Sequence, residues 1–307
     1  MSVGAAAALV LTLAAPAATA DTSGPEHLGS ASDLGVDVPE TTPELSSEFA
    51  TSRTGAWFVE LEEEPVTRGG DLRIMAQARR DITTEARSAG VDLDVRQTFT
   101  RLWNGISANI DDEDIDVIRD LDQVKAVYPV LPIDAPQTPV SDKDLVYALS
   151  MTGADIAQSE LGYTGEGLKV GIIDTGVDYD HPDLGGSGVD GETSFPTDKV
   201  VAGRDFVGDD YNADPEDPAY QPVPMPDPDP DDCHGHGTHV AGIVAADGDV
   251  DAGGVRGVAP GAQLGAYRVF GCDGSTEADI MAAAMEQALV DGMDVVNMSI
   301  GSAFSTF

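Results

Sequence analysis

The sequence predicts an α/β protein: a doubly wound parallel sheet preceded by a small βαββαβ module. Three observations carry that prediction. Apolar runs too continuous for a solvent-facing sheet, Leu168–Ile173 first among them, alternate with helical patterns through the second half of the chain. Ahead of them, strand-like and helical stretches follow in the order β-α-β-β-α-β between Ala56 and Tyr128. With 41% hydrophobic and 23% charged residues in 307, the chain has enough apolar material for one large domain or two.

Residues 1–20 carry no charge, hold the apolar run Ala5–Leu13 and end in Ala18-Thr19-Ala20, the small-x-small pattern of a signal-peptide cleavage site. Export is therefore expected, although no Lys or Arg precedes the run, which would suit a start codon upstream of Met1. Residues 21–55 are rich in Ser, Thr, Pro and Gly with seven acids and one Arg, a solvated linker. Order begins at the strand-like Ala56–Leu61. A helix over Asp71–Ala89 stops at Gly90, and alternating strands cover Val91–Phe99 and Gly105–Ile110. A short helix opened by acids spans Asp112–Leu121, and Val124–Tyr128 closes the unit. That order is ferredoxin-like, and it assigns residues 56–130 to one domain.

Residues 131–307 form the second unit. Its first parallel strand ends at Asp174, and further strands are expected at Lys199–Phe206, Gln263–Phe270 and Met293–Met298. Helices are expected at Thr238–Ala246 and Thr276–Asp291, the latter opened by a capping box, Thr276-Glu277-Ala278-Asp279, and ended by Gly292. In such a sheet, ligands bind off the carboxyl ends of the strands, where Asp174 stands.

Charge excludes one class of function outright. Fifty-five acids against 16 Lys and Arg give a net charge of -39, so no nucleic-acid partner is expected. No apolar run reaches the roughly 18 to 20 residues of a membrane span. Two cysteines cannot make a disulfide framework, but one bridge is open to them.

The densest chemical signal is Cys233-His234-Gly235-His236-Gly237-Thr238-His239-Val240-Ala241-Gly242, three of the five histidines in six positions. His-x-His-x-x-His is half of a zinc motif found in metallo-β-lactamase-type hydrolases, but Thr238 stands where those have Asp and no further His follows His239. No metal ligand set is assigned.

Several ordered motifs point elsewhere: Ile173-Asp174-Thr175-Gly176, His181-Pro182-Asp183-Leu184, His236-Gly237-Thr238-His239-Val240-Ala241-Gly242, Gly257-Val258-Ala259-Pro260 and Val296-Asn297-Met298-Ser299-Ile300-Gly301. Over about Gly153–Phe307 they resemble the subtilisin family of serine proteases. The Ala266–Phe270 stretch is similar to the large secreted Vpr/lactocepin-like bacterial subtilases. The resemblance implies a subtilisin-like sheet, and it makes the βαββαβ module an inhibitory propeptide.

By motif position Asp174 is the triad carboxylate and His236 the general base, the carboxylate fixing the imidazole's tautomer and stabilising its cation. His239 reads as structural, and His234 has no reading. The resemblance assigns peptide binding to Gly274, Ser275, Ser299 and Gly301, which would clamp substrate as an added strand. Phe270 reads equally as pocket lining beside His236 or as a core aromatic. The same resemblance brings Cys233 and Cys272 to one cleft, which implies a disulfide between them, a free thiol beside His236 being the alternative.

Nothing before Phe307 matches the family's nucleophile-serine motif. The expectation is thus the amino-terminal portion of a secreted endopeptidase precursor, truncated before the serine and inactive by itself, with protein or peptide substrates and its own propeptide as partners. A non-catalytic inhibitor or binding module is the alternative. The chemistry requires no cofactor. A structural calcium at Asp183 with the loop Asp247–Gly254 stays open, and the acidic insertion Val207–Asp232, nine acids and seven prolines, reads as a solvated loop.

Overall fold

The computed structural model describes residues 52–136 and 145–301, which belong to one compact unit. The expected signal peptide, the expected linker up to residue 51, residues 137–144 and residues 302–307 lie outside the described residues.

The amino-terminal module runs β1 (Ala56–Leu61), α1 (Leu72–Ser88), β2 (Asp94–Phe99), β3 (Gly105–Asn109), α2 (Ile115–Arg119) and β4 (Val124–Pro129). Its antiparallel sheet has the order β2-β3-β1-β4. Helix α1 starts where the Asp71 carboxylate accepts the Arg73 N–H at 2.7 Å. It ends at Gly90, whose φ of 92° only glycine tolerates freely. Met75, Ala78, Ile82 and Ala86 recur at helical spacing and are buried. Trp57, Val59, Ile106, Ile115 and Ile118 complete that core.

After β5 (Pro132–Ile133) and two short helices, α3 (Leu145–Thr152) and α4 (Ala154–Ser159), the second sheet begins. It comprises β6 (Lys169–Asp174), β7 (Val200–Asp205), β8 (Gln263–Arg268) and β10 (Val295–Asn297), all parallel, in the order β10-β6-β8-β7. Helix α5 (His236–Ala245) covers one face and α6 (Ala278–Val290) the other. Consecutive residues of β6 therefore serve opposite cores: Ile172 packs with Val240, Ala241 and Ala245, and Ile173 with Ile280, Ala284 and Ala288. Burial on both faces is why this strand reads as an unbroken apolar run. At the sheet's edge, β10 leaves Val295 and Val296 exposed.

One expected feature is overturned. Thr276–Asp279 is not a capping box: Thr276–Glu277 is extended as β9, paired antiparallel with β5, and α6 starts only at Ala278 with no side-chain cap. Asp279 turns instead to the amino-terminal module, accepting Ser107 Oγ at 2.8 Å and facing Arg96 Nε at 3.3 Å. A guanidinium holds a carboxylate more strongly than the backbone N–H that a capping box would offer.

Candidate active site

Asp174 ends β6 and is fully buried, and His236 opens α5. The two meet at 2.7 Å, Nδ1 to Oδ1. Asp174 Oδ1 also accepts the Thr175 N–H at 2.8 Å, whereas Oδ2 is buried without a partner among the described residues. Burial pushes the Asp174 carboxyl above its ordinary value, and the bonds from His236 and Thr175 offset only part of that. An ionised Asp174 can only accept, so the proton sits on Nδ1 and the lone pair on Nε2. The imidazole is thereby prepared to take a proton.

The close approach of α5 to β6 depends on Gly237, where a Cβ would overlap the Gly176 carbonyl oxygen. Gly242, further along the same helix, meets nothing within 4 Å and has no such role. The helix terminus is held by a residue that the sequence reading did not single out, Asp232. Its Oδ1 accepts the N–H groups of His234 and Gly235, both at 2.9 Å, and its Oδ2 accepts Thr238 N–H at 2.9 Å and Oγ1 at 2.6 Å. Burial alone would raise the Asp232 carboxyl, but these donors outweigh it and hold it below the ordinary range. Thr175 Oγ1 then donates to Asp232 Oδ1 at 3.0 Å and accepts the Gly237 N–H at 2.9 Å, tying the end of β6 to the start of α5. An Asp just ahead of a helix-opening His was a legible cue.

Cys233 and Cys272 form a disulfide, with S–S 2.09 Å, joining the loop before α5 to the chain just past β8. Beneath it lies Arg268, 4% exposed, whose Nη2 reaches Cys233 Sγ at 3.0 Å and whose Nη1 meets Asp209 at 2.8 Å and Asp205 at 3.4 Å. Arg268 therefore anchors the acidic insertion. Together with Asp178, Asp180 and Asp190, that insertion lines a cavity of about 640 Å³ whose walls include Asp209, Asp227 and Asp229. Burial and then the neighbouring acids Asp178, Asp229 and Asp180 push Asp231, another wall residue, up to about 6.

Other expected residues lie elsewhere. Phe270 is fully enclosed with Ile173, Val207 and Tyr211, so it is a core aromatic and not pocket lining. The Arg268 Nε–H holds its carbonyl, and the insertion closes over it. Ser275 is buried, its carbonyl taken by the Ala213 N–H and its hydroxyl facing Asn212 Oδ1, while the Asn212 side chain also crowds Gly274. Strand pairing takes place one step further along, at Thr276–Glu277. Ser299 and Gly301 are exposed beyond β10 and pair with neither segment. His239 is exposed, contrary to the structural role expected of it, and His234 keeps its Nδ1 buried without a partner.

At Asp183 the Oδ2 accepts the Val255 N–H at 3.0 Å, and no calcium ligand set is assigned there. No step is assigned to a metal. The sole metal-like cluster among the described residues, Asp209 with Cys233 and Cys272, uses the sulfurs already joined to each other.

Comparison with known proteins agrees with this geometry. The sequence profile of the subtilase family, peptidase S8, matches residues 165–306. The chain is 32% identical to the minor extracellular protease Vpr of Bacillus subtilis over 274 residues, 84% of this chain and 31% of that protein. It is 38% identical to subtilisin DY of Bacillus licheniformis over 156 residues, 50% of this chain and 44% of the relative. It is 30% identical to the M-protease of Shouchella clausii over 226 residues, 74% and 49% of the two chains. The chain thus spans about a third to a half of these relatives. With an Asp–His pair at the carboxyl end of a parallel sheet and these likenesses, the chain belongs to the subtilase family of subtilisin-like serine proteases.

Proposed function

We propose that this chain is the amino-terminal portion of the precursor of an exported subtilisin-like serine endopeptidase. The observation that carries the reading is the 2.7 Å contact between a fully buried Asp174 and His236, inside a family-matched domain. In the reaction, His236 Nε2 takes the proton of an attacking serine hydroxyl and later returns it to the leaving amine. Asp174 holds the tautomer and stabilises the imidazolium in between. No serine within residues 1–307 is assigned as the nucleophile, and the 307-residue chain by itself hydrolyses no peptide bonds on this reading.

Residues 56–130 act as an inhibitory propeptide of the inhibitor I9 type. What supports this is the strand pairing of Pro132 with Glu277 and Ile133 with Thr276, which lays the segment following the module along an edge suited to a peptide substrate. Residues 1–20 direct export, and no helix among the described residues is long and apolar enough to cross a membrane. Substrates are proteins or peptides bound as an added strand. The test is inhibition of the complete protease by isolated 56–130 module. Micromolar module should slow casein hydrolysis, and unchanged hydrolysis would leave the module without the proposed role.

A further inference from the structure

Four carboxylate and guanidinium groups meet between the amino-terminal module and α6. Arg96 on β2 donates Nη1 to Glu277 Oε1 at 2.9 Å, Nη2 to Glu277 Oε2, and sets Nε 3.3 Å from Asp279 Oδ2. The Glu277 and Asp279 side chains are 2% and 0% exposed and that of Arg96 15%. Asp279 also takes Ser107 Oγ from β3, and Glu277 takes Tyr211 Oη at 2.9 Å. Two turns beyond Asp279 on the helix, Glu286 accepts the N–H groups of Arg101 at 2.6 Å, Leu102 at 3.0 Å and Thr100 at 3.1 Å. Glu277, just ahead of α6, and Asp279 and Glu286 on it thus all face the β2–β3 hairpin. Among the described residues Arg96 is the sole cation that pairs with Glu277 or Asp279.

We infer that Arg96 is an ionic lock that seats the module, so that the surface of Glu277, Asp279 and Glu286 recognises a partner presenting a β-hairpin with one arginine. The chain's own module supplies that hairpin in cis. A guanidinium is required because one planar group serves Glu277 through two nitrogens and Asp279 through the third. A lysine ammonium, a single point, cannot reach both carboxylates in that way. Removing the cation leaves two buried carboxylates facing each other uncompensated, which costs far more than the ion pair adds over neutral groups. Selectivity follows, because a hairpin without arginine would bury the same two charges unpaired. The lock deepens the propeptide reading by naming what the module is recognised by, although the contact stands whether or not the module inhibits.

Hydrogen exchange in the full chain tests the lock at the Thr100, Arg101 and Leu102 amides, which are satisfied only by Glu286 and so report seating. Arg96→Ala and Arg96→Lys should each speed their exchange a hundredfold or more, leaving the interior amides of α1 and β6 at parental rates. Arg96→Met combined with Glu277→Gln and Asp279→Asn should restore protection to within tenfold of the parent. Parental protection in Arg96→Lys would overturn the requirement for a guanidinium. If Arg96→Ala unfolds the chain, the triple variant decides, and failure of the triple variant to regain protection would overturn the lock. A locked module that does not inhibit the complete protease would instead sink the propeptide reading and leave this inference standing.

Discussion

Asp232→Ala should weaken both the fold and the orientation of the Asp174–His236 pair. The Asp232 carboxylate receives three backbone N–H groups and two hydroxyls, from Thr238 and Thr175. A capping side chain contributes about 1 kcal/mol, and hydrogen bonds to a charged acceptor about 1.5–3 kcal/mol. These overlap on one group, so the expected loss is about 3 kcal/mol, read as a lower urea midpoint with an unchanged slope. The Asn variant keeps one acceptor oxygen and should lose about half of that. The pH dependence has a definite sign. Because the folded Asp232 carboxyl lies below its ordinary value, its contribution is complete above about pH 4 and is lost as pH falls through the folded value. The parent should therefore show an acid-side loss of stability that the Ala variant lacks. A change under about 0.5 kcal/mol, with the acid limb intact, would refute the assignment of Asp232 as the support of the site.

Replacing both Cys233 and Cys272 by Ser opens a loop with a separation of 39 residues and should cost about 4 kcal/mol by chain entropy, measured by denaturation of the full chain. Arg268→Met leaves the buried Asp205 without its cation and should cost about 3–5 kcal/mol, an unchanged midpoint being the contrary result. Gly237→Ala should push α5 off β6 and abolish the low-field His236 Nδ1–H proton resonance expected from the bond to Asp174; a retained resonance would show that the helix accommodates the methyl group. Asp231→Asn should raise stability above pH 6 relative to pH 4. Asp231 is held up to about 6 in the fold, so the parent loses stability as pH rises from about 4 through 6.

The parallel sheet was legible because β6 buries both its faces, which leaves an unbroken apolar run, and α1 because its buried residues repeat at helical spacing with Asp71 and Gly90 marking its ends. Asp174 and His236 stood out through motif spacing, which encodes where strand and helix must terminate. What pattern reading missed was set by contacts distant in sequence. Thr276-Glu277-Ala278-Asp279 satisfies a local capping rule, but Arg96, some 180 residues earlier, and the β5 strand outcompete it. Phe270 could not be placed because the insertion that covers it reads as solvated, and nothing local reveals that Arg268 gathers Asp205 and Asp209 beneath the disulfide. Nor does any local pattern show that Asn212 of that insertion occupies Ser275 and Gly274.

The central claim is that Asp174 and His236 form the acid–base pair that activates a serine nucleophile. Labelling with a fluorophosphonate probe tests it most directly, using the 307-residue chain beside a longer protein in which it is extended through a nucleophile-serine segment. The account predicts no specific label on the 307-residue chain, one labelled serine in the longer protein, and loss of that label in His236→Ala. Specific labelling of a serine within residues 1–307 that disappears in His236→Ala, or labelling of the longer protein that survives His236→Ala, would contradict it.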